Sequence, residues 1–482
     1  MNFWFIKLFL PWFAIGIFFN QNADGDLFTV KKQNFRSSVY SSKLKQATLL
    51  ELNKAELQNI LDKRANTLNL KIPYLEQSFD VNLYQIDIFT DHFKVGTSGP
   101  DSTSKSYKKG VYYTGTVSND PGSFISLSFF ENELIGMISS KKYGDINIGK
   151  LNEHNDQDYI IFNDQDRFEQ NNFNCGTVDT ISSIFKMDEI KRDLKNQVLE
   201  SRAAGCVGID FEVANNIYVA KSSNVTTVTD WLTSLFVHIK TIYTNEQIDI
   251  KINYIYIWTT PDSYTKNVNN TSITLNELAN LRKSRSANPE FTGNLHHLVL
   301  KSPSSTSAAG VAWITSNPLC SDPYRFGLTF LWLDPVPVSL PYYLWDIGSV
   351  AHELGHNFGS PHTQSCDWAG GAIDGCVTQE GSCHVGPLPS KDGGTIMSYC
   401  HLVSSVGTKL SNGFGPLPGN LIRSTVRTST CVVTGTCGGS IPLPTCNDGI
   451  QNGDETGVDC GGSCGPCGTA CNTNLSQGKT TS

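Results

Sequence analysis

The sequence predicts an α/β (α+β) domain built on a mixed, twisted sheet with one long ligand-bearing helix. A β-rich segment precedes it and a small cysteine-rich module follows. Three observations predict this order. Ile125, Leu127 and Phe129 alternate with Ser126 and Ser128, the two-residue period of a half-buried strand. From Phe211 onward a strand pattern, a helical pattern and a second strand pattern follow one another, as in a sheet flanked by helices. After Cys431 the composition turns to Gly, Pro, Cys and acidic residues.

The 482 residues suffice for two or three domains. Net charge is −8 and the pI is about 5.7, which argues against a nucleic-acid partner. Residues 1–23 are expected to be a secretory signal: Lys7 precedes the apolar run Leu8–Phe19. The alternative is an uncleaved anchor, but the run is short against the ~20 residues a membrane span needs. No stable membrane insertion is expected once the signal is removed. Phe326–Trp345 is apolar but carries Asp334, Pro335, Pro337 and Pro341, so a loop is expected there. Fourteen cysteines, none before Cys175 and most after Cys366, fit export to an oxidising, extracellular compartment.

Residues 24–202 are expected to form a propeptide domain. Val111–Val117, a turn at Asn119-Asp120-Pro121-Gly122, and Ser123–Phe129 predict a hairpin, with Glu133–Ile138 as a third strand. A polar stretch, Lys186–Arg202, then leads to the main domain at 203–435, and Arg202-Ala203-Ala204 is a candidate processing point. In that domain Phe211–Ala220 is expected as a strand, Val228, Trp231, Leu232, Leu235, Ile239 and Ile242 as a helix face, and Asp249–Trp258 as a strand. Residues 436–445 are a linker. Residues 446–482 form a module too small to bury a core and so stapled by disulfides. Its acidic residues make Ca²⁺ a secondary cofactor candidate beside their reading as solvated turn acids.

The chemistry is concentrated in His352-Glu353-Leu354-Gly355-His356-Asn357-Phe358-Gly359-Ser360-Pro361-His362. On a helix, His352 and His356 stand one turn apart and point the same way. Asp346 is the expected N-cap, and Ile347, Val350, Ala351, Leu354 and Phe358 form the opposite, packing face. Gly359 permits a sharp exit, because glycine adopts positive φ without a steric penalty. The returning chain can then deliver His362 as a third ligand. Three nitrogens leave a fourth tetrahedral position open, the mark of a catalytic and not a structural zinc site. Glu353, at the neighbouring angle, is placed as general base.

This segment, with Gly394-Thr395-Ile396-Met397-Ser398-Tyr399 35 residues beyond His362, resembles the metzincin clan of zinc endopeptidases, defined by HExxHxxGxxH and a later methionine turn. Gly293–Leu300, Ala309–Ile314 and Cys320 resemble the region ahead of the active helix in its reprolysin-like (adamalysin-type) family. The resemblance covers roughly Cys206–Cys431, and residues 111–138 are loosely similar to the prodomain of such proteases. It implies a metzincin-type catalytic domain, one Zn²⁺, and Met397 as an apolar floor. It also implies protein or peptide substrates bound extended along the Ala309–Ile314 edge strand, and a monomer is expected. Cys320–Cys431 is an implied disulfide, and Cys366, Cys376, Cys383 and Cys400 could make two more. The sequence departs from the reprolysin pattern at Thr363, where Asp is usual, and at Tyr399. The latter is similar to astacins and serralysins, where that phenol supports the oxyanion, so Tyr399 is a catalytic candidate. Cys175 is a candidate metal ligand that would block the site in a zymogen; the alternative is a disulfide to Cys206 or another partner. The competing functional reading is a binding or adhesion protein on a silent metzincin scaffold. It would require a lost ligand or base, and none is missing.

Overall fold

A computed structural model describes residues 26–32, 35–99, 106–151, 157–168, 172–177, 205–284, 286–303, 307–314, 319, 321–333, 340–341, 343–429 and 431–432. The expected signal, the processing point at Arg202, Cys320, the linker and the C-terminal module lie outside them. The N-terminal part supplies β1 (Phe28–Val30), β2 (Thr48–Leu52), β3 (Thr67–Tyr74), β4 (Gln77–Gln85), β5 (Phe89–Thr97), β6 (Val111–Val117), β7 (Asp120–Phe130), β8 (Glu133–Ser140), β9 (Gly144–Lys150), β10 (Asp158–Asn163) and β11 (Asn172–Cys175). The main domain adds β12 (Val207–Val213), β13 (Ile250–Ile257), β14 (Leu295–Lys301), β15 (Ser307–Ala312) and β16 (Phe326–Leu331). The helices are α1 (Lys54–Lys63), α2 (Asn215–Ala220), α3 (Val225–Asn245), α4 (Thr271–Arg282), α5 (Leu344–Asn357) and α6 (Pro416–Thr428).

Nine of the strands form one antiparallel sheet in the order β1-β2-β10-β9-β8-β7-β6-β4-β3. The predicted hairpin is present, but its turn is tighter than expected. Asp120 already pairs with Val117, so only Ser118 and Asn119 lie between them. Ser123 stabilises this turn by accepting from the Val117 N–H and donating to the Asp120 carbonyl.

The second sheet runs β11-β15-β16-β14-β12-β13-β5. It is mixed, as predicted: β16, β14, β12, β13 and β5 are parallel, and β15 is antiparallel to β16. Parallel strands are buried on both faces and so carry unbroken apolar runs. That corrects the loop expected from Phe326 onward. Phe326–Leu331 is an interior strand with all six residues buried. The strand expected over Phe211–Ala220 is also corrected. It ends at Val213, because Asp262 accepts from the Asn215 N–H, Asn215 donates to the Trp258 carbonyl, and the chain turns into α2.

Helix α3 forms as the periodicity predicts and lies between the sheets, burying Trp231, Leu232, Leu235, Phe236, Ile239 and Ile242. Its Tyr243 hydroxyl donates to the Ala351 carbonyl at 3.0 Å, fastening it to α5. Asp346 is not the N-cap. It sits inside the first turn of α5 and accepts from the Trp332 N–H at 3.0 Å, which holds the chain end after β16.

Beneath the sheet lies a buried carboxylate, Glu212 on β12. It accepts from Arg282 Nε at 2.9 Å, Trp258 Nε1 at 2.6 Å, Tyr264 OH at 2.5 Å and His296 Nε2 at 3.1 Å. Burial alone would raise its pKa. The Arg282 guanidinium and the His296 bond outweigh burial and hold the carboxyl below its ordinary range. Removing one partner of a buried ion pair leaves the other charge uncompensated. Glu212→Gln should therefore lower unfolding stability by about 3–5 kcal/mol, read as a fall in the urea midpoint at unchanged slope.

Candidate metal centre

Helix α5 carries His352, Glu353 and His356 on its buried face, and Gly359 (φ 92°) turns the chain at its end as expected. The Ser360 N–H bonds back to the Gly355 carbonyl at 3.0 Å, closing the turn that returns His362. His356 Nε2 lies 3.1 Å from both His352 Nε2 and His362 Nε2.

The other ring nitrogens explain this crowding. His352 Nδ1 is 2.7 Å from the Ile396 carbonyl and His356 Nδ1 is 2.7 Å from the Ser360 carbonyl. Carbonyls only accept, so both Nδ1 atoms carry protons and donate. His362 Nδ1 donates likewise to the Glu380 carboxylate at 3.1 Å. Burial lowers the pKa of His352 to about 3 and that of His356 well below its ordinary value, with His362 adding to both. Neutral rings protonated at Nδ1 aim bare Nε2 lone pairs at one another. They repel unless a cation sits between them. Tetrahedral zinc with Zn–N of about 2.0–2.1 Å requires N···N separations of about 3.3 Å, so the donor set fits that ion.

The turn at Met397 supports the three imidazoles from below. A Cβ on Gly355 would meet Met397 Sδ at 2.6 Å, so the absence of a side chain lets the fully buried thioether press against the helix. The Ile396 carbonyl of the same turn is the acceptor that orients His352.

Glu353 is fully buried, and the polar group that bears on its carboxylate is the Cys175 thiol. Burial pushes the pKa of Glu353 well up. It fits only because β15 carries Gly310, where a Cβ would lie 2.2 Å from Glu353 Oε1.

Cys175 reaches the same centre from the N-terminal part. Its thiol is free and buried, which excludes the alternative disulfide to Cys206; Cys206 and Cys431 are each disulfide-bonded. Cys175 Sγ lies 3.4 Å from His356 Nε2, and the thiol and the three histidines place their ligand atoms within 4.8 Å of one another. Strand β11 carries it there by pairing parallel to β15, with Cys175 opposite Gly310. The pairing continues through the Gly176 N–H to the Gly310 carbonyl, and Thr177 Oγ1 accepts from the Ala312 N–H at 3.1 Å. Tyr399 OH accepts from the Cys175 N–H at 3.1 Å and lies 3.2 Å from the Cys175 carbonyl. The site thus brings together Cys175, His352, Glu353, His356, His362 and Tyr399.

Two participants escaped sequence reasoning. Phe173 packs its ring edge-on to His352 and lines a cavity of about 330 Å³ with Trp345, Ile396 and His401. Glu380 holds His362 and also accepts from Gln364 Nε2 at 2.9 Å. Its loop is stapled by Cys366–Cys383 and Cys376–Cys400, the two bridges expected among those four cysteines. Nothing local marks a glutamate 18 residues beyond a histidine; only the folded loop brings them together. The calcium expectation falls on residues 446–467, outside the described residues. Among the described residues no helix is long and apolar enough to cross a membrane.

A reprolysin model of metallo-peptidase family M12 matches residues 211–409. Among solved structures, metalloproteinase-II from Bacteroides fragilis is similar at 10% identity with a TM-score of 0.35, covering 64% of this chain and 85% of that one. No curated protein matches the chain.

Carboxylates that accept from a ligating histidine fix its tautomer and raise its basicity. Glu380→Gln should therefore weaken Zn²⁺ binding about 10–100-fold, measured by competition against a chromophoric chelator.

Proposed function

We propose that the chain, whose residues 211–409 match a reprolysin model of metallo-peptidase family M12, is a reprolysin-like zinc metalloendopeptidase, secreted and made as a zymogen. Its substrates are extracellular proteins or peptides, bound extended along β15. His352, His356 and His362 hold the zinc, Glu353 is the general base, Tyr399 assists, and Cys175 blocks the site until residues 24–202 are displaced. The observation that carries this reading is the convergence of three Nε2 lone pairs whose partner nitrogens are all engaged as donors.

When bound, zinc supplies a positive charge that acidifies water toward a pKa of ~7 and polarises a peptide carbonyl. The chain's own groups do the remainder. Glu353 is walled by the β15 backbone at Gly310 and faces the Cys175 thiol, so departure of Cys175 leaves its carboxylate to the attacking water. It takes a proton from the attacking water and returns it to the leaving amine. Strand β15 offers backbone N–H and C=O groups to any extended peptide, whatever its side chains. Residues 172–177 occupy that edge and spend those groups. The Tyr399 phenol is bonded to the backbone of Cys175. Departure of the segment frees it beside His362, where it can donate to a developing oxyanion.

Glu353→Gln should retain stoichiometric zinc while casein or gelatin cleavage falls at least ~100-fold. Near-normal cleavage by that variant would remove Glu353 from the reaction. Chelation should abolish cleavage by the processed enzyme, and added Zn²⁺ should restore it. Gly310→Ala should also reduce cleavage, because its methyl occupies the space of the Glu353 carboxylate; unaltered kcat/KM in a folded variant would show that the carboxylate relocates freely.

A further inference from the structure

The outer strands of the seven-stranded sheet, β11 at one edge and β5 at the other, both come from the N-terminal part. β11 is short and lies over the metal centre. β5 is nine residues long and lies on the far edge, away from any chemistry. Its sequence neighbours β4 and β6 pair directly with each other, so β5 is expelled from its own sheet and added to the enzyme's. It runs parallel to β13, with Val95 opposite Ile255 and Thr97 opposite Ile257. The ladder extends at both ends, through the Ile252 N–H to the Ile88 carbonyl and the Ser98 N–H to the Ile257 carbonyl.

Side chains seal this edge. Buried Lys251 pairs with Asp87 at 2.8 Å, and Thr90 donates to Asn253 Oδ1 at 3.1 Å. The Tyr254 ring lies across Gly96, where a Cβ would meet its hydroxyl at 1.9 Å. The contact continues onto α3, where Ser126 Oγ meets His238 Nδ1 at 2.5 Å and Tyr107 OH donates to Asp230 at 2.7 Å. Ile88, Phe89 and Val95 share one hydrophobic core with Ile209, Ile252 and Ile255. Such an interface is like a domain interior cut in two, and interfaces of that kind persist without a covalent link.

We propose that the β13 edge is a second, non-catalytic docking site for the N-terminal part, which stays bound as a separate subunit after the connection through residues 178–204 is cut. This rests on the zymogen reading above. Retention belongs to the β13 edge and blockade to the β15 edge. Cutting the connection alone leaves residues 172–177 held in the cleft by the part they remain attached to. Activation is therefore the loss of those residues from β15 and not the cut itself.

The test places a recognition sequence for a site-specific protease between residues 186 and 202 of the full chain, cuts it, and follows size-exclusion elution and peptide hydrolysis together. The two pieces should co-elute one to one, with hydrolysis unchanged from the uncut protein. Cutting the Cys175→Ala form should preserve co-elution while hydrolysis rises at least about tenfold. Gly96→Leu, placed under the Tyr254 ring at the sheet edge, should weaken retention of the cut piece at least about tenfold. Separation of the unsubstituted pieces at micromolar concentration would overturn the proposal, as would undiminished retention in Gly96→Leu. Co-elution without any gain from Cys175→Ala would instead uphold the docking site and remove the blocking role of Cys175.

Discussion

Three protons on the outward nitrogens of His352, His356 and His362 govern the centre. Each is donated to a fixed acceptor: the Ile396 carbonyl, the Ser360 carbonyl and the Glu380 carboxylate. Those acceptors decide the tautomers, and the tautomers decide that three lone pairs face one point. The acceptors come from different places: the methionine turn, the helix exit and a disulfide-stapled loop. The long helix, the Gly359 turn, the Gly355–Met397 contact and the two bridges all hold acceptors and rings in register. Without that register the same three histidines would be buried bases with nothing to bind.

The part of the site that follows from short-range spacing was legible in the sequence. His352, Glu353 and His356 lie within two turns of helix, and Gly359 marks the only sharp exit before His362. The strand–helix–strand order also carried through, because α3 and β13 have strong periodicity. Legibility failed where burial or long-range pairing decides. The interior strand Phe326–Leu331 has no alternation to reveal it, and a nearby Pro-rich stretch suggested a loop. The strand ending at Val213 stops for a tertiary reason, the Asp262 and Trp258 contacts of Asn215. Glu380 and Gly310 matter only through neighbours far along the chain. Strand β5 has an ordinary strand pattern; nothing in it tells which of two sheets it will join.

The two edges of the main sheet meet different physical demands. An edge strand offers unpaired backbone groups to any extended chain. At β15 that openness is taken up by β11, and in the proposed function it is what an extended substrate would use. At β13 it would be a liability, and β5 covers it with side-chain contacts and a shared core as well as a ladder. Helix α3, wedged between both sheets, ties the covered edge to the helix that bears His352 and His356 through Tyr243 and Ala351.

The stapling of the Glu380 loop has a consequence for biosynthesis. Residue 380 lies inside both the 366–383 and the 376–400 rings. A chain assembled among abundant small-molecule thiols would carry its third imidazole against an acceptor on an untethered hairpin. Its affinity for the ion would then depend on which foldases it had encountered, so two preparations of identical sequence could differ in metal occupancy by virtue of their folding history alone.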